Sequence, residues 1–320
     1  MRLNVTLPKA RPFDVVGLGL NAVDHLCVVP HFPEADTKLK MLDFSIQGGG
    51  QAATAMVACK RLGLKTRYIG NIGDDAMGQL SLRSLIDEGV DTAGVTVVAG
   101  ARNQLAFIMI EQHTGNRTII WDRDQRLRMT PSAVPQKLIC SAKVLLVDGH
   151  DAGAALQAAR YAKAAGMVVM MDAETVAAET RELISLVDIV IGEQHFPEKF
   201  TGLADGKKAL QTIAEYGPSV VAVTWGSRGA LMLYQGAFYY SPAFEISCRD
   251  STGAGDVFHA AFIRALFENW DVEQCLAFSH AVAALKCRGL GGRSCLPSFS
   301  EALAFMKTAP RRNSQAITVE

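Results

Sequence analysis

The residues of this chain whose types and spacing could do chemistry together are Asp250-Ser251-Thr252-Gly253-Ala254-Gly255-Asp256. Downstream, Val257 to Leu266 is an apolar, alanine-rich run that reads as a buried helix, and upstream Phe244, Ile246 and Cys248 alternate as a strand would. A glycine-rich turn is therefore expected to hand a strand over to a helix. The first N–H groups of a helix lack intrahelical partners and carry about half a positive charge, so anions bind there. Gly253 and Gly255 have no Cβ to hold an anion away from those amides. Asp256 is the odd member, and two readings follow. It is a helix-capping carboxylate worth up to about 1 kcal/mol, or it takes the proton from a hydroxyl that attacks a phosphoryl group held by the amides.

Other chemistry-bearing residues lie near turns. Gly48-Gly49-Gly50-Gln51 opens a small-residue helix that stops at Gly63, a second glycine-rich helix start suited to a polar ligand or simply to close packing. Gly17-x-Gly19-x-x-Ala22 has the form of a dinucleotide fingerprint. That motif must open a helix, however, and the chain continues as a β-branched run ending in Pro30. Asp24 then falls at the end of a core strand, where ligands of open α/β sheets are bound. Asp74 and Asp75 read as helix caps. Thr224-Trp225-Gly226-Ser227-Arg228-Gly229 is a polar turn after a buried strand.

The elements that must position these groups follow from periodicity. From about Pro131, strands at 143–148, 167–172, 187–191 and 220–224 alternate with helices at 152–165, 175–186 and 205–216, the order of a parallel α/β sheet. Residues 25–47 and 101–124 alternate instead as antiparallel excursions and read as a lid. Residues 1–12 look like a loose lead-in, and 309–320 like a flexible polar tail. The expected organisation is one domain over 13–308.

Composition narrows the function classes. Lys+Arg and Asp+Glu each number 32 and cancel, so no nucleic-acid or acidic-membrane partner is indicated. Apolar residues make up 49% of the 320 residues, and the 28 glycines suit a buried sheet with tight turns. The seven cysteines include no Cys-x-x-Cys pair and the histidines no metal-ligand spacing, which disfavours a disulfide framework or a zinc site. No apolar run has membrane-spanning length and no secretory leader is visible, so a cytoplasmic location is expected.

Taken together, these motifs resemble the PfkB/ribokinase family of carbohydrate kinases. Asp250 to Asp256 resembles its Asp-Thr-x-Gly-Ala-Gly-Asp signature, with Ser251 for threonine, and Gly49-Gly50 with Arg61-Leu62-Gly63 resembles its N-terminal signature. The resemblance implies a ribokinase-like three-layer α/β/α sandwich, with a mainly parallel central sheet and a small antiparallel β lid. It implies ATP-dependent phosphorylation of a hydroxyl on a small sugar, with Mg2+ and in some members K+. By similarity, Asp256 is the base and Gly253, Ala254 and Gly255 complete the anion hole. Asp24, Gly49, Gly50 and Thr54 face the sugar, while Thr224, Gly226, Ser227, Gly229 and Gly255 contact the nucleotide. Asp250 and Thr252 match the monovalent-cation residues.

Two departures stand out. Thr54 replaces an asparagine common in the family. Glu193-Gln194-His195-Phe196 stands where Asn-x-x-Glu is expected, which leaves Glu193 as the candidate for Mg2+ or leaves the metal to ATP and water. Gly48 to Thr54 and Ala283 to Cys287 are most similar to a bacterial branch that includes sulfosugar kinases. An anionic sugar would want a cation, for which Lys38 is the candidate. A nucleoside kinase and a catalytically silent, metabolite-binding regulator are the alternatives. Pairing of the apolar lid residues 26–29 and 105–110 implies a homodimer.

Overall fold

Unbroken aliphatic runs cannot leave either face in water, so they form strands covered on both sides. The computed structural model describes residues 1–312. In chain order the strands are β1 (Phe13–Leu18), β2 (Ala22–Val29), β3 (Asp43–Gly49), β4 (Thr66–Gly73), β5 (Asp91–Val98), β6 (Leu105–Glu111), β7 (Arg117–Asp122), β8 (Ala142–Val147), β9 (Val168–Ala173), β10 (Ile189–Glu193), β11 (Val220–Thr224), β12 (Ala230–Tyr234) and β13 (Ala237–Ser241). The helices are α1 (Gln51–Arg61), α2 (Ala76–Asp87), α3 (Gln136–Ile139), α4 (Ala152–Ala164), α5 (Thr180–Leu186), α6 (Phe196–Thr201), α7 (Gly206–Ala214), α8 (Ala254–Leu266), α9 (Val272–Lys286) and α10 (Phe299–Thr308).

Nine strands make the main sheet in the order β13-β12-β11-β10-β9-β8-β1-β4-β5, with only β12 and β13 running antiparallel to their neighbours. Alternate residues of each strand enter different layers. Val15, Val144, Met170 and Ile189 pack with α1, α8 and α9. Val16, Leu145, Val169 and Val190 pack with α4, α5 and α7 on the other face. This is the expected three-layer sandwich.

The second sheet has the order β3-β2-β6-β7. Each of its hairpins, β2/β3 and β6/β7, is antiparallel, and the two join through β2 and β6, which run parallel. Strand alternation divides its residues by face. Leu26, Val28, Ala106, Ile108 and Ile110 turn inward with Leu290, whereas Phe44, Ile46, Phe107 and Ile120 stay exposed. Thus only half of the apolar residues at 26–29 and 105–110 are on the outer face.

Several local expectations are corrected. Residues 242–249 contain no strand: Phe244 and Ile246 alternate because they pack against Ala281, Ala284 and Phe305, not because they pair in the sheet. Helix α5 starts at Thr180 instead of 175, since Thr180 Oγ1 accepts the Ala177 N–H at 2.8 Å and holds that approach as a turn. The lead-in is docked, for Met1 O accepts the Val272 N–H at 2.9 Å and Leu3, Val5 and Leu7 pack on the core. At the other end Arg312 N–H donates to Ala243 O at 2.9 Å, so 309–312 are also tied down. The rest of the expected tail, 313–320, lies outside the described residues.

Candidate active site

The C-terminal ends of β1, β8 and β9 open on one edge of the sheet, where α/β folds bind ligands. Helix α8 points its N-terminus at this edge. It starts three residues before the sequence pattern suggests, which puts Asp256 in its first turn. Gly253 is its N-cap with φ 75, a left-handed conformation that a Cβ disfavours, and a Cβ there would lie 2.7 Å from Gly292 Cα. Ala254 N–H donates to Ser251 O at 3.2 Å and Val257 N–H to Gly253 O at 3.0 Å. Among the described residues the amides of Gly253, Gly255 and Asp256 find no partner, so three of the four expected anion-hole groups are open and Ala254 is already engaged. A Cβ on Gly255 would meet nothing within 4 Å, which leaves the approach clear.

Asp256 and Asp24 face one cavity of about 400 Å³, within the usual range for small-molecule sites. Burial pushes the Asp256 carboxyl well above the ordinary range. Asp172 and Glu174 add to the shift, and His259 and Arg117 oppose it. His259 lies beneath, with Nδ1 2.6 Å from Gly255 O and Nε2 3.1 Å from Ile191 O. Asp24 projects from β2 and is pushed up to about 6, first by burial and then by Asp250, with Arg293 opposing.

The second glycine turn exists for this carboxylate. A Cβ on Gly49 would sit 2.1 Å from Asp24 Oδ2, and Gly50, with φ 85, caps α1 against the backbone of Leu20 and Asn21. Thr54, buried on α1, accepts from Arg293 Nε at 3.3 Å and keeps its own O–H available. Arg293 also donates to Gly49 O at 2.7 Å and Ser84 Oγ at 2.8 Å, joining the 289–294 loop to the glycine turn.

Not every expected residue comes to the cavity. Lys38 lies exposed in the irregular 30–42 segment between β2 and β3 and does not line it. Glu193 is consumed locally, accepting from Lys199 Nζ at 2.9 Å and from His195 N–H at 2.9 Å. No group of three or more His, Cys, Asp or Glu side chains among the described residues forms a metal centre, so Mg2+ has no preformed protein cage. Thr224 ends β11 on the same sheet edge, and Gly226, Ser227 and Gly229 form the turn that follows, outside the cavity's lining. Asp250 and Thr252 are bonded to each other: Oδ1 accepts Thr252 N–H at 2.8 Å and its hydroxyl at 2.7 Å, and Oδ2 accepts Gly291 N–H at 2.7 Å.

The cavity also contains groups that the sequence reading missed. Arg117 starts β7 on the lid and donates to Ser251 Oγ at 2.8 Å, beside the anion hole. His150 and Glu174 follow the ends of β8 and β9 and stand 3.8 Å apart. Their signal was the abrupt change from buried strand to polar residues in Asp148-Gly149-His150 and Asp172-Ala173-Glu174. Buried Gln104 lines the cavity with an Oε1 that has no partner, an acceptor left for a ligand.

An open helix N-terminus, Asp256 and buried Asp24 thus meet in one cavity. The family model for pfkB family carbohydrate kinases matches residues 13–298, and the chain belongs to that family. A ribokinase of Haemophilus influenzae is 28% identical over 300 residues, covering 91% of this chain and 98% of that protein. A nucleoside kinase of Methanothermobacter thermautotrophicus is 24% identical, covering 91% and 94%. The solved structure of an Arabidopsis thaliana ribokinase complexed with ribose and ATP superimposes with a TM-score of 0.77 at 24% identity, covering 92% and 99%. The protein is thus a sugar or nucleoside kinase of ribokinase-like fold, and no helix among its described residues is long and apolar enough to cross a membrane.

Proposed function

We propose that the protein transfers the γ-phosphoryl group of ATP to a hydroxyl of a small sugar or sugar derivative, with Asp256 as general base. The observation that carries this reading is the meeting of open α8 amides, Asp256 and Asp24 in one cavity. The sugar lies between Asp24, the Gly49-Gly50 turn, Thr54 and Asp256. ATP reaches in from the Thr224–Gly229 turn, bringing Mg2+ on its phosphates. As the hydroxyl oxygen bonds to the γ-phosphorus, the bond to the ADP oxygen breaks and the hydroxyl proton passes to Asp256. The amides of Gly253, Gly255 and Asp256 stabilise the charge on the transferring group, each worth about 3 kcal/mol. Arg117 is placed to add to them, and its position on the lid ties lid closure to the exclusion of water.

Trp121 and Ile119 line the lid side of the cavity, an apolar wall that favours a nucleoside as the second reading. A coupled ADP-release assay over sugars, phosphosugars, sulfosugars and nucleosides separates the two. Asp256→Asn is expected to keep its fold and ATP binding and to lose about 10²- to 10⁴-fold in turnover with the best acceptor. Wild-type turnover in that variant would remove Asp256 from the role of base.

A further inference from the structure

Lys286 is the last residue of α9, directly after the apolar stretch Ala281 to Leu285, and is fully buried. Its ammonium donates to Asp250 O at 2.9 Å. A buried ammonium is costly unless opposite charge surrounds it. Here the Asp250 carboxylate and the carbonyl end of α9 supply that charge. Asp250 in turn anchors two loops, holding Thr252 through Oδ1 and Gly291 through Oδ2, while the N–H groups of Arg249 and Asp250 donate to Cys287 O at 2.8 and 3.3 Å. The loop that carries the anion hole is therefore fastened from behind by one positive charge.

We propose that the Lys286 ammonium is the resident cation of the 250–256 loop, taking the place and the charge of a monovalent metal ion, so that this kinase works without K+. A bound K+ ion needs several oxygens in exchange for its hydration shell. Asp250 and Thr252, the two residues matched to that task, already bond each other and Gly291, and the Asp250 carbonyl accepts the Lys286 ammonium, so the negative charge of the loop is met by a cation of the chain itself. Lys286 touches no reacting atom. It is a positioning residue whose fixed charge needs no ion from solution.

The test compares wild type and Lys286→Met in choline, sodium and potassium chloride at equal ionic strength, reading turnover and thermal melting. Wild type is expected to show the same turnover in all three salts, within about twofold, and the same melting temperature. Lys286→Met is expected to lose about 10²-fold in choline and to regain part of this, together with melting temperature, in K+ or ammonium. Stimulation of wild type by K+ of about tenfold or more, or undiminished turnover of Lys286→Met in choline, would overturn the assignment. If Lys286→Met does not fold, the wild-type salt series decides alone. The turnover readout rests on the kinase reading and the melting readout does not. Absence of any phosphorylated acceptor would thus defeat the proposed function, while the melting shifts would still judge Lys286.

Discussion

Replacing Gly253 by alanine separates what the anion hole needs from what its helix needs. The φ of 75 at Gly253 costs an L-residue about 1–2 kcal/mol. The new Cβ, its position fixed by the backbone, would also stand 2.7 Å from Gly292 Cα, a contact that no rotamer can relieve. An unstrained carbon contact lies at about 3.5–4.0 Å, so the 250–256 and 289–294 loops must part by about 1 Å. Overpacking of this kind adds about 1–3 kcal/mol, giving an expected loss of stability of about 2–5 kcal/mol in urea unfolding. The amides of Gly255 and Asp256 shift with the loop, and a displacement of about 1 Å is worth about 10²-fold in rate. Gly255→Ala is the control, because a Cβ there meets nothing within 4 Å and its φ is not positive. That variant is expected to be as stable as wild type or more so, since alanine in a helix exceeds glycine by about 1 kcal/mol, while its methyl group impedes the phosphates. Both variants are measured by coupled ADP release at saturating ATP and acceptor. Turnover of Gly253→Ala within about threefold of wild type would refute the argument that the loop's position sets the rate.

Two further outcomes follow from the charges and from the lid. With Asp256 as the proposed base, kcat/KM is expected to rise with pH through a limb well above the ordinary aspartate value of 3.8. Because Glu174 helps to raise that limb, Glu174→Gln should move it to lower pH, and an unmoved or raised limb would contradict the assignment. On the lid's outer face Phe107, 53% exposed, stacks 4.9 Å from His25 beside Phe44, an apolar strip that supports pairing with a second copy of the chain. Phe107→Asp is expected to shift sedimentation from dimer to monomer at micromolar protein, and a wild type that sediments as a monomer would dispose of the lid dimer.

Much of the fold was legible because it depends on patterns that local physics repeats. Unbroken strands such as Val220 to Thr224 have no use except burial on both faces, and the regular alternation with helices after Pro131 leaves one sheet topology. The signature stretch was legible as an anion site because glycine spacing and a following apolar helix determine where amides point. The misreadings share a cause. Phe244 and Ile246 alternate to meet helices α9 and α10, and a period of two cannot say whether the partner is a strand. Lys38 has only its place on the lid to suggest a cation for the sugar, and it is exposed in the connection between β2 and β3, as a solvated lid lysine would be. Arg117, Arg293 and Lys286 were missed because long side chains reach across elements distant in sequence, here over 134 residues from Arg117 to Ser251. Lys286 does leave a mark, a charge directly after the apolar stretch Ala281 to Leu285, and such a charge calls for a partner.

The charges at this edge of the sheet have a common logic. Asp172 and Glu174 add their charge to the burial of Asp256, and burial raises Asp148 and Asp172 as well, with Asp151 adding to the first and Asp148 and Glu174 to the second. A dense group of carboxylates is a poor place for a triphosphate, yet the phosphates do not need to enter it. In the proposed transfer the open end of α8 and Arg117 draw the transferring group toward Asp256, while the negative charge of Asp172 and Glu174 repels it. Asp256 thus sits where the two fields meet. An arriving γ-phosphate adds negative charge beside a carboxyl that is already reluctant to ionise, so nucleotide binding raises its proton affinity just when a hydroxyl proton must be taken. The Lys286 ammonium bonded to Asp250 O, proposed above as the resident cation of this loop, sets a fixed positive charge behind the same amides, one that stays in the chain when ADP leaves.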